Sequence, residues 1–292
     1  CNSAFPGMVL MDHVISTHHV TSPVDCSLFC VDNKKCKSYN YKPRGAGDQD
    51  VCQLNNATRK SNPASYKPDA AFIYYFDESE AFKSCLDYLR YGVTENGIHT
   101  ITDTSGDTYQ VFCDLTSEAR SAWTLIMSQA FKNKNMAEFC RKSLTENAPV
   151  QENTPNWEAY RLSLNRMQLL SKQSTHLRIT TGFTVYGVDF RDYLRAKVTS
   201  VDILSISAGE CKMVEYINIR GHKGYDVTVP FWQRSDYLFR TSSFKLICQF
   251  DATKGSTHLE VNFGRYCRAA NPKFRGTANG DSTTEYWFGG YL

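Results

Sequence analysis

Cys26-Ser-Leu-Phe-Cys30-Val-Asp-Asn-Lys-Lys-Cys36-Lys-Ser-Tyr-Asn-Tyr41 decides how this chain begins to fold. The preceding Ser22-Pro23-Val24-Asp25 has the chemistry of a helix start. Ser22 can cap free backbone N–H groups, Pro23 suits the first turn, and Asp25 favours the positive end of the helix dipole. Cys26 and Cys30 then stand four residues apart, on one side of that helix. From Cys36 to Tyr41 the pattern alternates like a strand, and Val51-Cys52-Gln53-Leu54 starts another. Between them Pro43-Arg-Gly-Ala-Gly-Asp-Gln-Asp50 is turn-rich. Upstream, residues 8–20 read as one strand, and downstream residues 70–76 read as the strand that closes a first unit over residues 1–79.

The chain has 292 residues, enough for two ordinary domains, and its 41% hydrophobic and 22% charged content belongs to a folded protein. Its 33 basic and 30 acidic residues leave a formal charge of +3, too balanced for an obligate nucleic-acid or membrane-surface binder. The longest apolar stretch, residues 70–76, is far short of the roughly 20 residues that a membrane-spanning helix needs. Opening on Cys1 suits a processed mature form. Eleven cysteines without any Cys-x-x-Cys pair favour disulfides in an oxidising compartment over structural zinc. The sequon Asn56-Ala57-Thr58 agrees with secretion and makes Asn56 a glycosylation candidate. An odd count leaves one thiol over. Cys1 is the expected outlier, either free or joined to a second chain.

The first unit resembles a PAN/apple module, through Cys26-x3-Cys30, Cys36-x-Ser-Tyr-Asn-Tyr and Cys52-x-Leu-Asn. The resemblance implies a helix stapled to an antiparallel sheet, with Cys26–Cys52 and Cys30–Cys36 bonded, and a module that binds proteins or carbohydrates. Cys1 matches the extra first cysteine of apple-type members, whose partner lies near the end of the module, where Cys85 stands.

After Asp77-Glu-Ser-Glu80 a second unit spans residues 80–292. Residues 81–91 read as a helix stopped at Gly92. Residues 97–101 and 108–113 alternate as two strands around Asp103-Thr-Ser-Gly-Asp107, a hairpin turn by its chemistry, and residues 122–127 read as a buried strand. Ser84-Cys-Leu-Asp87, Gly97-Ile-His-Thr-Ile101, Tyr109-Gln-Val-Phe-Cys-Asp-Leu-Thr116 and Trp123-Thr-Leu-Ile126 resemble the start of a fibrinogen-like domain, intelectins included. That resemblance implies a Cys85–Cys113 bond. It departs from the family at Ala119-Arg-Ser-Ala122, where glycines are usual. Beyond Gln129, residues 157–173 read as helix, with Tyr160, Leu164, Met167 and Leu170 on its core face. Residues 176–183, 197–206, 213–219, 244–250 and 257–263 read as strands. The expected fold class is therefore α+β, mostly antiparallel, with a fibrinogen-like second domain.

Enzyme signatures are missing: there is no Gly-x-Ser-x-Gly elbow, His-Glu-x-x-His helix, dinucleotide motif or phosphate loop. His18 and His19 fall on opposite faces of a strand and read as ordinary histidines. Catalysis is not expected.

Binding residues are easier to find. If 257–263 is a strand, His258, Glu260 and Asn262 share one face, where they can hydrogen-bond vicinal hydroxyls or a hard cation. The C-terminal Asn279-Gly-Asp-Ser-Thr-Thr-Glu285-Tyr-Trp-Phe-Gly-Gly-Tyr291 is the second candidate. Asn279, Asp281 and Glu285 offer oxygens, and Tyr286 and Trp287 offer flat faces for a sugar ring. Asp281 and Glu285 are the candidate ligands of calcium, Ca2+, although the spacing matches neither the Asp-rich loop of fibrinogen-like domains nor the histidine-rich site of intelectins. The same segment also suits a final buried strand after a turn. Aromatics gather again at Tyr225 and from Phe231 to Phe239, where Arg234 and Asp236 can pair and Pro230 argues for a surface loop.

The expected function is that of a secreted lectin that recognises glycans or glycoproteins through its second domain. Weak single sites predict a homo-oligomer, with Cys1 as a candidate link. An adhesion or matrix protein with a protein partner is the alternative, and a hydrolase with an unrecognised site is the remoter one. Neither a nucleic-acid partner nor membrane insertion is expected.

Overall fold

The computed structural model describes residues 2–44, 49–59, 61–77, 82–90, 93–104, 106–242, 246–257 and 259–292. Its backbone packs as two units, residues 1–81 with 90–92 and residues 82–89 with 93–292.

The smaller unit comprises β1 (Asn2–Leu10), β2 (Val14–Val20), α1 (Pro23–Asp32), β3 (Ser38–Lys42), β4 (Asp50–Asn55) and β5 (Tyr66–Asp77). Its five strands form an antiparallel sheet in the order β1-β5-β3-β4-β2. α1 starts as its sequence dictates: Asp25 N–H donates to the Ser22 hydroxyl, and the Asp25 carboxylate accepts from the Thr21 backbone and hydroxyl. Those hydrogen bonds, the Thr21 hydroxyl first, hold the Asp25 carboxyl below its usual range. Cys26–Cys52 and Cys30–Cys36 staple the helix at Cα separations of 5.5 and 5.2 Å, as the family resemblance implies. Under the helix, Val20, Cys26, Tyr39, Tyr41, Cys52 and Leu54 make one core cluster.

Residues 8–20 are not one strand. The chain reverses at residues 11–13, where Asp12 takes a φ of 64°, and the two halves become opposite edges of the sheet. Alternation alone does not reveal such a break, because both halves keep the same period. Cys1, and part of the turn-rich loop at 45–48, lie outside the described residues.

The larger unit comprises α2 (Cys85–Arg90), β6 (Gly97–Thr102), β7 (Thr108–Asp114), β8 (Ser121–Ala130), α3 (Ala137–Cys140), β9 (Ala159–Arg161), α4 (Leu164–Gln173), β10 (His176–Thr181), α5 (Phe183–Tyr186), β11 (Tyr193–Lys197), β12 (Ser207–Ile219), β13 (His222–Arg234), β14 (Tyr237–Arg240) and β15 (Thr283–Tyr291). One sheet runs β14-β13-β12-β11-β10-β15-β8-β7-β6, with β9 on β8, and all its strand pairings are antiparallel. Mostly antiparallel sheets with few helices therefore describe both units.

The C-terminal strand is inserted between β10 and β8, at the middle of the sheet. Residues 283–290 are all buried. Gly289 is required there, because a Cβ would stand 2.0 Å from the Ala122 carbonyl oxygen. A closed core extends from Ile101 and Trp123 through Leu177 and Ile217 to Phe231 and Trp287. Cys85–Cys113 is bonded, as are Cys140–Cys267 and Cys211–Cys248.

Several expectations are corrected. Residues 157–173 split into β9 and α4, so Tyr160 is a strand residue and not part of the helical stripe. The segment after Lys197 leaves the sheet, and the described residues of 244–250 form no strand. Pro230 lies inside β13, opposite Cys211 of β12. It is tolerated because β14 pairs with β13 only at Trp232 and Arg234, so at Pro230 the outer side of β13 needs no donor.

Candidate functional site

The C-terminal candidates separate. Glu285, Tyr286 and Trp287 are fully buried in β15. Glu285 accepts from the hydroxyls of Thr180 and Thr283 and from the Phe183 amide. Burial pushes its carboxyl up to about 7 against those three donors. The Trp287 indole donates to Thr180, and one face carries the Arg178 guanidinium at 4.8 Å from the ring centre. Tyr286 donates to the Phe263 carbonyl. None of the three offers a surface to a sugar, and the expectation of ring stacking or cation binding on them is overturned by the central place of β15.

Asn279 and Asp281 do reach the surface, on the turn before β15. Asp281 pairs with Lys132 at 3.1 Å, and Lys132 also binds Glu158 at 2.9 Å. Asp281 and Glu285 therefore do not share a cation site. Among the described residues no group of three or more His, Cys, Asp or Glu side chains could hold a metal ion.

The second expected cluster also dissolves. His258 lies outside the described residues. Residues 259–263 form isolated bridges and turns instead of a strand, so their alternation does not sort them onto two faces. Asn262, expected on the ligand-binding face, is fully buried, whereas the neighbouring apolar Leu259 is 56% exposed. Asn262 donates to Ser256 and accepts from Asn271. Glu260 accepts from the Thr257 amide at its own turn. Asn56 is exposed, with Thr58 buried behind it.

A different surface carries the polar and aromatic groups. Cross-strand pairs Tyr193↔Asn218, Arg195↔Tyr216, Tyr216↔Tyr225 and Asn218↔Lys223 place six side chains on one face of β11, β12 and β13. Leu194 and Ile217, at alternate positions, enter the core. β12 and β13 join through Arg220-Gly221, whose φ values of 54° and 90° make the tight two-residue turn that keeps this register.

The loop at 187–192 closes one side. Asn218 donates to the Phe190 carbonyl at 2.8 Å, and the buried Asp192 carboxylate accepts from the amides of Arg220 and Arg275. Burial raises the Asp192 carboxyl above its usual range, against the pull of those amides. The result is an open groove of about 780 Å³ lined by Asp189, Phe190, Arg191, Arg195, Glu215, Tyr216, Asn218, Arg220, Lys223 and Tyr225. Tyr225 is 65% exposed, and its ring leans on Tyr216 at 4.9 Å.

Behind the groove runs a buried charge network. Arg178 sits between the rings of Trp123 and Trp287 and binds Asp114 and Glu118. Glu118 also binds Arg195 and accepts from Tyr193 and Tyr291, and Arg195 reaches Glu215, which meets His176 at 3.1 Å. Burial opposes the Arg195 charge, but Tyr193, Tyr291 and Glu118 outweigh it and raise its pKa. Burial likewise opposes the Asp114 carboxylate, and Arg178 outweighs it, holding that group below its usual range. These pairs fix where Arg195 and Glu215 stand on the groove floor.

The groove adjoins a smaller cleft of about 220 Å³ lined by Tyr186, Arg275, Asn279 and Asp281 among others. Arg275 joins the two: it forks onto Asp189 with two 2.8 Å bonds and lies 4.0 Å from the Tyr186 ring centre. That hydrogen bonding lowers the Asp189 pKa. Two of the expected residues thus border the aromatic surface, while its main lining comes from strands whose pairing the sequence does not display. Tyr225 and the turn chemistry of Arg220-Gly221 were the visible signals.

No helix among the described residues is long and apolar enough to cross a membrane. No curated protein matches the chain. The family model described as PAN domain matches residues 1–78, and the smaller unit, with its stapled helix and five-stranded sheet, is a PAN domain.

Proposed function

We propose that this protein is a secreted carbohydrate-binding protein, a lectin, whose larger unit takes a glycan in the groove over β11, β12 and β13. The observation that carries this reading is the exposed Tyr225 ring standing beside exposed Arg191, Arg220 and Lys223. A sugar ring needs a flat apolar face and nearby donors for its hydroxyls, and this groove offers both. The resemblance of residues 84–126 to fibrinogen-like domains supports the same reading, as do five disulfides, which suit an oxidising compartment. Single sites of this kind are weak, so the active form would be a homo-oligomer that gains avidity. No group in the groove is assigned a catalytic role.

A glycan array with and without chelator tests the reading. Saturable binding inhibited by free sugar supports it, and the chelator arm reports whether calcium takes part. Tyr225→Ala should weaken binding roughly tenfold at unchanged thermal stability, since its side chain is mostly in solvent. Unchanged glycan affinity in that variant would sink the site.

A second reading has its own observation. On α1 the apolar Val24, Leu28 and Val31 are 66%, 60% and 77% exposed. An apolar strip of this kind suits a protein partner, and a blank array together with binding lost in Leu28→Asp would favour adhesion instead.

A further inference from the structure

The formal charge of +3 hides an asymmetry. Five arginines converge on the far end of the larger unit's hairpin. Arg234 and Arg240 come from β13 and β14, where Trp232 pairs with Arg240. Arg265 and Arg268 flank Cys267, and Arg141 follows Cys140. The Cys140–Cys267 bond, across 127 residues of sequence and a 5.7 Å Cα separation, brings these two groups together. They line two adjoining concavities of about 630 and 500 Å³ that share Asp236, Arg265 and Arg268. Asp236 is the one carboxylate among the described lining residues, and it already pairs with Arg234. Five cations against one anion is a local surplus of four, more than the net charge of the whole chain.

We propose that this face binds a sulfated polysaccharide. The cations are all arginines, whose planar forks match the oxygens of a sulfate better than a lysine point charge does. Arg141, Arg234 and Arg268 are exposed, while Arg240 and Arg265 are part-buried, with Arg240 5.7 Å from the Trp232 ring centre. The deeper pair is therefore held in place, Arg234 is exposed beside Asp236, and Arg141 and Arg268 present exposed side chains to a chain. Two concavities joined through shared residues suit a polymer that carries repeated charges better than one small anion. Single-stranded nucleic acid would want a row of exposed aromatic platforms, and Trp232 is the single aromatic side chain among the described lining residues. The five disulfides also suit the oxidising surroundings in which sulfated polysaccharides occur. The inference does not depend on the glycan reading of the Tyr225 groove.

Heparin is the probe. The full chain should elute from immobilised heparin at higher salt than from a sulfopropyl resin. Arg141→Ala with Arg268→Ala should weaken affinity for a short heparin fragment tenfold or more at physiological salt. The slope of log affinity against log salt should fall by about two. Lys172→Ala with Lys197→Ala removes the same charge from residues that line neither concavity and should change little. Tyr225→Ala should leave heparin binding intact, which separates this site from the groove. Equal affinities for the parent and the arginine double variant would overturn the proposal, as would an equal loss in the lysine control. Displacement of bound heparin by duplex DNA at lower concentration than by heparin itself would also overturn it, in favour of a nucleic-acid surface.

Discussion

In the PAN domain the two disulfides join cysteines 26 and 6 residues apart, whereas in the larger unit one joins cysteines 127 apart. The same contrast runs through the strands. β3 and β4 of the PAN domain are near neighbours in sequence and pair directly, while β15 inserts between β8 and β10, more than 100 residues upstream. The strand pairings of the small unit close within 75 residues of sequence, where β1 meets β5, and those of the large unit over as many as 170, where β15 meets β8. The difference teaches where a motif can be trusted: within a few tens of residues spacing and geometry are linked, and beyond that the rest of the chain decides.

Three measurements sharpen or break that comparison. The largest effect belongs to the long closure. In the chain-entropy model, Cys140→Ser with Cys267→Ser should cost about 5 kcal/mol, against about 2 kcal/mol for Cys30→Ser with Cys36→Ser. All four tryptophans lie in the larger unit, so denaturant unfolding followed by indole fluorescence reads its transition. Hydrogen exchange of the amides of α1 and β3, which lie in the PAN domain, reads the other transition. Equal costs for the two pairs would break the comparison.

The second concerns the buried centre of the larger unit. Glu285 has an ordinary pKa of 4.5 that burial raises to about 7, so the folded state binds the proton more tightly than the unfolded state. Its stabilising contribution is fully present below pH 4.5 and is lost as pH rises toward 7, by about 3 kcal/mol at most. Glu285→Gln, which cannot ionise, should remove that slope from thermal unfolding measured between pH 4.5 and 7. A slope unchanged in the variant would show that another group titrates.

The smallest effect is local. Ser22→Ala removes the cap of α1 and should cost about 1 kcal/mol. Hydrogen exchange of the α1 amides should quicken, while the indole-reported transition of the larger unit stays where it is. A shift in that transition would mean that the two units are energetically coupled.

The uneven legibility follows from the same contrast. The Ser22 cap, the β6–β7 hairpin around Asp103 and Asp107, and the buried β8 were readable because each rests on neighbours a few residues away. The candidate site was not. Trp287 and Tyr286 look the same in sequence whether their strand is an edge or a centre, and only pairing with both β10 and β8 makes them core. Residues 259–263 alternate like a strand, yet no strand partner takes them up, so the alternation decides nothing about their faces.

The sequence by itself determined the capped helix of the PAN domain, with Cys26 and Cys30 on one side of it, and the hairpin that follows that domain, whereas the partners of those cysteines came from the family resemblance. The helix and the hairpin depend on turn angles, caps and helical spacing, which are set by adjacent residues. Tertiary structure alone decided that the last strand fills the middle of the larger sheet, that Tyr216 meets Tyr225 over a groove, and that Arg141 stands beside Arg265 and Arg268. The physical reason is that strand order and long disulfide closure are chosen by burial across the whole unit: more than a hundred residues separate β15 from β8 and β10, and Cys140 from Cys267, and even the local Tyr216–Tyr225 pair becomes a groove only when β11 and the loop at 187–192 pack beside it.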